Sequence, residues 1–382
     1  MAAIINYGKF TEYAGLISRS GETPRFTTKV STRVSTMEKV KRPRIAVIGA
    51  GIIGLPAAVM LTEIFCKPEV TLIAEEFSPD TTSDTAGSII WPADHSEIGS
   101  HDSRRDEWTK VTFQYLYNLF SSPLAKTLDI NLVPAYEVYE GEREDPWWKD
   151  YVLGFRHVGE EEMKVLHYPV DRKCWGYSTL MMIGASYLKW QMEQFKANGG
   201  VVVQRRLESL EEIDGAYDII VNCTGLGSRQ LVNDPEVYPV RGQLIVVRAP
   251  WIKSIFIYET KDNVITYVLP RTDCVLLGGT ADVGNWSTQV DPLVSKGIME
   301  RCCMYFPALS TAKILEEVVG LRPSRHTVRL EVDDASLKKS TVVHNYGHGG
   351  QGVTFFIGCA IDTVKLVEDC LIQKGFTASS KL

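Results

Sequence analysis

The amino-acid sequence predicts an α/β fold, and three consecutive segments carry that prediction. Residues 44–48 form a short apolar run rich in β-branched residues, which is typical of a strand buried on both faces. The run Gly49-Ala50-Gly51-Ile52-Ile53-Gly54 follows at once and leads into a predicted helix. A second apolar run, residues 70–74, ends in Glu75 and Glu76. Together these segments match the Rossmann fingerprint for dinucleotide binding: strand, glycine turn, helix, and a second strand with an acidic end.

Each part of this fingerprint has a physical task. Gly49 allows the tight turn, and Gly51 lets the backbone approach a pyrophosphate. Gly54 lets the helix, which is predicted to end near Phe65, pack closely on the strand. The helix start turns its partial positive charge toward the phosphates, and Glu75 is placed to accept hydrogen bonds from the adenosine ribose. The predicted cofactor contacts of this segment are Gly49, Gly51, Ile52, Ile53, Gly54, Glu75 and Glu76.

Two later segments place further residues at the same site. Residues 218–227 are predicted to form another buried strand that ends in small residues, with Thr224 and Gly225 near the cofactor. Residues 347–352 again satisfy G-x-G-x-x-G, between a strand-like segment at 341–345 and a predicted helix over 353–373. Too few residues remain for a second nucleotide domain, so this run must return to the cofactor already bound. A flavin would use the dipole of that helix, because its reduced ring carries negative charge. The contacts expected here are Gly347, Gly349, Gly350, Gln351, Gly352 and Thr354.

Length and composition limit the class of protein. In a chain of 382 residues, two domains that share an interface are the default expectation. A formal net charge of -6 gives no basic field for nucleic acid, and no apolar run is long enough to cross a bilayer. The 8 cysteines are scattered without a C-x-x-C spacing. This argues against a zinc site, and no metal is expected.

The two ends of the chain differ from the rest. Residues 1–43 are rich in Ser, Thr, Lys and Arg and lack an apolar period, which predicts a disordered extension. The alternative is a mitochondrial transit peptide, which Glu12, Glu22 and Glu38 weaken. Residues 377–382 form a tail that ends in Ser380-Lys381-Leu382. A terminal Ser-Lys-Leu is an address read by the peroxisomal import receptor, so it predicts a location in the peroxisome matrix.

From Arg44 onward the sequence resembles the D-amino-acid oxidase and D-aspartate oxidase family. The matching segments occur in one order along the chain: Pro79-Asp80-Thr81-Thr82-Ser83-Asp84, Trp147-Trp148-Lys149-Asp150, Val152-Leu153-Gly154-Phe155-Arg156, Val221-Asn222-Cys223-Thr224-Gly225, Arg241-Gly242-Gln243, Gly284-Asn285-Trp286, Gly320-Leu321-Arg322-Pro323 and His344-Asn345-Tyr346-Gly347-His348-Gly349-Gly350. The resemblance implies a Rossmann-like FAD-binding domain interleaved with an antiparallel-sheet substrate domain. The FAD-binding domain would take residues 44–98, 183–241 and 316–376, and the substrate domain residues 99–182 and 242–315. The antiparallel sheet would cover the flavin as a substrate lid, and it could be the face of a homodimer.

The reaction that the resemblance implies is oxidation of a D-amino acid to an imino acid. Hydride would pass from Cα to flavin N5, O₂ would reoxidise the flavin, H₂O₂ would leave, and the imine would hydrolyse in water. Arg322 matches the family's carboxylate clamp, Tyr267 the tyrosine that also meets the carboxylate, and Gly350 the glycine whose carbonyl receives the amino group. His348 is expected to lie beside the flavin and not to transfer a proton. Further FAD contacts are expected at Thr81, Thr82, Ser83, Ser88 and Leu207.

The choice of amino acid depends on the residue after Gly278-Gly279-Thr280. The D-aspartate branch of the family has an arginine there, whereas this chain has Ala281, so neutral D-amino acids are predicted to be preferred. The lid, residues 255–266, lacks a second tyrosine of many D-amino-acid oxidases, and Asn263 falls near that position. Lys261 could bind an acidic side chain instead, which keeps D-aspartate oxidase activity as the alternative. A flavin-binding protein without catalysis is a further alternative, against which Arg322 and Tyr267 argue.

Overall fold

The computed structural model describes residues 42–92, 102–262 and 264–377. Nearly all of the predicted N-terminal extension, Asn263 and the terminal Ser380-Lys381-Leu382 lie outside the described residues. The strands are β1 (Arg44–Ile48), β2 (Glu69–Ala74), β3 (Asn131–Tyr139), β4 (Leu153–His157), β5 (Lys173–Met181), β6 (Val201–Gln204), β7 (Ile219–Asn222), β8 (Tyr238–Arg248), β9 (Ile255–Glu259), β10 (Ile265–Pro270), β11 (Val275–Gly278), β12 (Asp282–Val283), β13 (Lys313–Asp333) and β14 (Thr341–His348). The helices are α1 (Gly54–Leu61), α2 (Thr82–Thr85), α3 (Arg105–Phe120), α4 (Ala125–Leu128), α5 (Glu160–Val165), α6 (Gly184–Ala197), α7 (Ser228–Leu231), α8 (Pro292–Tyr305) and α9 (Gly352–Gln373).

A parallel group of strands, in the order β6-β2-β1-β7-β14, forms one part of the sheet. Its central strands β1 and β7 are apolar and almost entirely buried, as expected of strands that are covered on both faces. Helices α1, α6 and α9 pack on it and, with residues of β1, form the largest apolar core. The predicted strands at 44–48, 70–74 and 341–345 and the predicted helix over 353–373 are thus confirmed in type and approximate extent. The strand predicted over 218–227 is shorter, Ile219–Asn222, and Gly225–Gly227 forms a 3₁₀ helix.

An antiparallel group, in the order β4-β5-β3-β9-β10-β11-β8-β13, continues the same sheet, with β3 and β9 as its one parallel pair. The long strand β13 joins the two groups. Its first half pairs with β8 as far as Ser324, and its second half pairs with β14. The predicted domain boundaries at 241/242 and 315/316 fall inside β8 and β13. The division of the chain into domains stays a prediction, whereas a Rossmann-type parallel layer combined with an antiparallel sheet is what the structure contains.

Helix α1 ends at Leu61, four residues before the predicted end near Phe65. The hydroxyl of Thr62 donates to the carbonyl of Val59 at 2.6 Å, and its amide bonds back to the carbonyls of Ala58 and Val59. A threonine hydroxyl that takes a backbone carbonyl in this way competes with the helix ladder. The chain can therefore turn into β2. Within the described ranges, no helix is both long and apolar enough to cross a membrane.

Candidate active site

A cavity of about 840 Å³ lies where the two groups of strands meet. The carboxyl ends of β1, β2 and β7 and the start of α9 line it on the parallel side. Residues of β8, β10 and β13 line it on the antiparallel side. In an open α/β sheet, the carboxyl ends of parallel strands are where ligands bind. The position of this cavity therefore marks it as the candidate site.

Most of the predicted site residues line the cavity. They are Gly49, Gly51, Ile52, Ile53, Glu75, Glu76, Thr81, Thr82, Ser83, Ser88, Leu207, Thr224, Gly225, Tyr267, Arg322, Gly349, Gly350, Gln351 and Gly352. Gly54, Gly347 and Thr354 lie behind its wall instead. A Cβ on Gly347 would come within 2.7 Å of the Cβ of Arg325, and the hydroxyl of Thr354 donates to the carbonyl of Trp91 at 3.4 Å. Their positions suit packing of the wall and not ligand contact.

The first glycine turn leaves no room for side chains. Gly49 has φ 104°, and a Cβ on it would lie 2.5 Å from the carbonyl oxygen of Cys223. A Cβ on Gly54 would overlap the carbonyl oxygen of Gly49. The turn can therefore form only with bare backbone at both positions, and this brings β1, α1 and β7 together at the edge of the cavity. Gly51, between them, exposes its backbone to the cavity.

The hydroxyl residues at the start of α2, Thr81, Thr82 and Ser83, lie across from this turn. The amide of Ile52 donates to the hydroxyl of Ser83 at 2.9 Å, which ties the two cavity walls together. Thr81 starts the short helix: both its amide and its hydroxyl donate to one carboxylate oxygen of Asp84. Thr81 therefore serves a local turn while it also lines the cavity. At the far end of the cavity, Glu75 is exposed and forms an ion pair with Arg206 at 3.2 Å.

His348, in the second glycine run, lines the cavity and is buried. Burial lowers the pKa of His348 to about 3, so its ring is neutral at physiological pH. Its Nε2 atom is buried and has no hydrogen-bond partner among the described residues. A buried polar atom without a partner at a cavity wall is what a polar ligand would satisfy. The bare glycine turn and this atom fit a dinucleotide with a polar ring system such as FAD.

Arg322 and Tyr267 lie together on the antiparallel side of the cavity. The guanidinium of Arg322 donates to the carbonyl of Thr280 at 3.0 Å, and it forms no ion pair with any described carboxylate. Burial raises the pKa of the Tyr267 hydroxyl, against the opposing effect of the Arg322 charge, so this tyrosine stays a protonated donor. A guanidinium without a counter-charge, next to a hydroxyl donor, is suited to bind a carboxylate.

Three glycines that the sequence prediction did not assign to the site make room for this pair. A Cβ on Gly242 would lie 2.6 Å from both terminal nitrogens of Arg322, so the guanidinium crosses bare backbone of β8. Cβ atoms on Gly278 and Gly279 would overlap the Tyr267 ring. A glycine inside a strand often marks a close approach by another group. That signal was present in the sequence, although it could not show which side chain approaches.

Beside Arg322 and Tyr267, which together form the clamp, the cavity wall is apolar. Ala281 packs around Val240 together with Trp91 and Ile265. Lys261 is exposed and is not among the residues that line the cavity. Its amide donates to the carboxylate of Glu140 at 3.0 Å, and its Cε would lie 3.7 Å from a Cβ on Gly141. In this structure the side chain of Lys261 therefore lies away from the clamp.

Comparison with known proteins gives one consistent result. Residues 44–366 match the DAO family, described as FAD dependent oxidoreductase. The chain is 38% identical over 332 residues to a D-aspartate oxidase of Homo sapiens, with 86% of this chain and 95% of that protein covered. It is 35% identical over 337 residues to a D-amino acid oxidase of Dugesia ryukyuensis, covering 86% and 98%. A solved glycine oxidase from Bacillus cereus superposes with a TM-score of 0.68 over 86% of this chain and 98% of that one; at 17% identity this shows the fold alone.

Proposed function

The chain belongs to the DAO family of FAD-dependent oxidoreductases, and from this premise we propose that it oxidises neutral D-amino acids to 2-oxo acids, ammonia and H₂O₂, with O₂ as electron acceptor. The observation that carries the proposal is the clamp. Arg322, without a counter-charge, lies beside the Tyr267 hydroxyl in the cavity that fits the cofactor. Relatives named D-amino acid oxidase support the same reaction.

The residues of the chain act mainly by binding and orienting. Arg322 would take the substrate carboxylate through two parallel N–H donors, and the Tyr267 hydroxyl would donate a third hydrogen bond. Gly350, at the opposite wall, offers a backbone carbonyl for the amino group. Four fixed contacts on two groups of one carbon set the orientation of its C–H bond. The chemistry that FAD would supply when bound is acceptance of that hydride and return of its two electrons to O₂.

The two histidines of β14, His344 and His348, take no part in the proposed reaction as proton carriers. His348 is held neutral by burial, as described above. His344 is fully buried; its Nδ1 faces the amide of Asn222 at 3.3 Å, and its Nε2 faces a carboxylate oxygen of Asp333 at 3.4 Å. His344 is not among the residues that line the cavity. Catalysis would therefore depend on positioning and on the protein dipoles around the cofactor.

The preference for neutral side chains is supported by the wall around Ala281. A carboxylate placed there would lose its water and meet Trp91 and Ile265, with no cation at position 281. The second candidate is D-aspartate oxidase activity, which the 38% identical human relative favours. It would require the side chain of Lys261, which does not line the cavity, to turn into it.

The substitution Ala281→Arg tests the preference. Wild type should show a higher kcat/KM for D-alanine than for D-aspartate, and the variant should gain roughly thirtyfold or more on D-aspartate, because the buried carboxylate acquires a partner. H₂O₂ release with D- and L-forms of both amino acids measures this. Lys261→Ala is the control and should leave the ratio unchanged. A wild type that prefers D-aspartate, and loses this preference with Lys261, would support the second candidate.

We further propose that the protein forms a homodimer, as the family resemblance implies.

We also propose that an import receptor binds Ser380-Lys381-Leu382 and carries the protein into the peroxisome matrix. Deletion of these three residues should leave kcat and KM unchanged and shift a fluorescent fusion from peroxisomes to the cytosol. The control is the full-length chain fused at its N-terminus, so that the tail stays free. Peroxisomal signal from the truncated chain, or mitochondrial signal from the full-length chain, would contradict the proposal.

A further inference from the structure

Arg271 is a largely buried cation without a counter-charge. It forms no ion pair with any described carboxylate, and its Nε atom is buried without a hydrogen-bond partner among the described residues. Burial lowers the pKa of its guanidinium. Enclosing an arginine in this way is costly unless another group compensates the charge. A group that compensates the charge of Arg271 is therefore expected next to it.

Among the described residues, the hydrogen bond of this guanidinium leads to the cofactor side of the cavity. Its Nη2 atom donates to the backbone carbonyl of Ala86 at 2.6 Å. Ala86 and Gly87 both line the cavity, whereas Arg271 does not. Leu269, near the end of β10, packs on the same segment: a Cβ on Gly87 would lie 3.0 Å from its Cδ1. Leu269 and Arg271, which directly follows β10, thus fix the Ala86–Gly87 peptide.

The direction of the Ala86 carbonyl sets the direction of the next amide. This peptide is not among the cis bonds of the chain, and in a trans peptide the C=O and the following N–H point opposite ways. With the carbonyl turned outward to Arg271, the amide of Gly87 turns toward the cavity. That amide has no hydrogen-bond partner in the described part of the chain. Backbone donors at a buried wall are rarely left unpaired, so a ligand is its expected partner.

We infer that Arg271 is a positioning residue for the cofactor: it aims the Gly87 amide into the cavity and places a positive charge behind that donor. The polarised peptide gives a stronger donor, and the charge favours electron density on the adjacent ligand. FAD becomes more negative on reduction. The positive charge of Arg271 should therefore make the protein bind reduced FAD more tightly than it would without that charge. The inference rests on FAD binding and not on the choice of substrate.

The test is Arg271→Leu, which removes the charge and the donor but fills the space. The ratio of affinities for reduced and oxidised FAD should fall about tenfold, the size of effect that one neighbouring charge has on an ionisation. For a two-electron couple, this equals a midpoint potential lower by about 30 mV. FAD binding to the apoprotein should also weaken, by about tenfold. Potentiometric titration and quenching of flavin fluorescence measure both quantities without substrate.

Matched variants separate the charge from the hydrogen bond. Arg271→Lys should keep the potential near that of wild type, whereas Arg271→Gln, which can still donate to Ala86, should lower it. Arg42→Leu is the control, since Arg42 also donates to backbone carbonyls, those of Lys67 and Pro68, and neither of these two residues lines the cavity. It should leave the potential unchanged.

The stability of the apoprotein distinguishes a structural role from this one. Removing an uncompensated buried charge should leave the Tm of the Arg271→Leu apoprotein unchanged or higher. An unchanged potential in both Arg271→Leu and Arg271→Gln would overturn the inference, whatever happens to the Tm. Should the leucine variant not fold, the glutamine and lysine variants decide through the potential alone. If no D-amino acid is oxidised at all, the proposed function is wrong. The midpoint potential and the FAD affinity can still be measured, because neither requires substrate.

Discussion

Replacing Arg322 with alanine should raise the KM for D-alanine by roughly two to three orders of magnitude while FAD stays bound. The reason is that the variant leaves a desolvated substrate carboxylate without its cation. Loss of one partner of a buried, hydrogen-bonded charge pair costs about 3 to 5 kcal/mol. Steady-state kinetics by H₂O₂ release, with the flavin spectrum as a measure of cofactor content, give both numbers.

Two controls make this result specific. Arg322→Lys keeps the charge but loses the planar fork, so its KM should lie between those of wild type and the alanine variant. Gly242→Ala should raise KM in the same direction without touching substrate, because its Cβ would displace the guanidinium. An alanine variant with the KM of wild type would remove Arg322 from the carboxylate site, and an apoprotein without FAD would show a structural role instead.

Replacing Gly54 with alanine should abolish FAD binding, with at least a hundredfold rise in Kd. Its Cβ would overlap the carbonyl oxygen of Gly49 and lie 3.0 Å from the Cβ of Cys223. Both neighbours belong to fixed turns, so α1 must move away from the turn that cradles the cofactor. Overpacking of this kind costs about 1 to 3 kcal/mol in a core, and here it also disrupts a turn that phosphate binding needs.

The measurement is titration of apoprotein with FAD, followed by quenching of the flavin fluorescence. Gly159→Ala is the matched control: nothing lies within 4 Å of the Cβ it would carry, so FAD affinity should be that of wild type. Retention of stoichiometric FAD by the Gly54 variant would contradict the account of the turn. Thermal unfolding of both apoproteins separates loss of cofactor from loss of fold.

The elements around the first turn could be predicted because their determinants are local. Residues 45–48 and 219–221 are apolar without alternation, and this indicates strands that are covered on both faces. The spacing of the glycines predicts the positions at which a side chain would not fit. Membership in the family likewise followed from local segments of the chain.

Other features depend on which distant segments become neighbours, and local pattern does not contain that information. Nothing near Gly242 in the sequence shows that Arg322 crosses it, 80 positions later in the chain, as the register of β8 and β13 requires. The same holds for Arg271, whose role depends on Ala86, 185 positions earlier. Lys261 belongs to the predicted lid, yet it is exposed and does not line the cavity, and its backbone amide donates to Glu140, the residue after β3.

The continuous strand β13 has a consequence for how substrate preference can change in evolution. Arg322, the proposed clamp residue, lies on the strand that also pairs with β14, so the proposed recognition of the carboxylate depends on the strand that joins the two groups of the sheet. Ala281 and Ile265 lie on other segments, although Ile265 shares β10 with Tyr267. The proposed cation for the carboxylate and the wall proposed to face the variable side chain are thus on different strands. Mutations at Ala281 could therefore change the preferred substrate side chain while Arg322 still binds the carboxylate. Related proteins could in this way acquire new substrates and keep the same reaction.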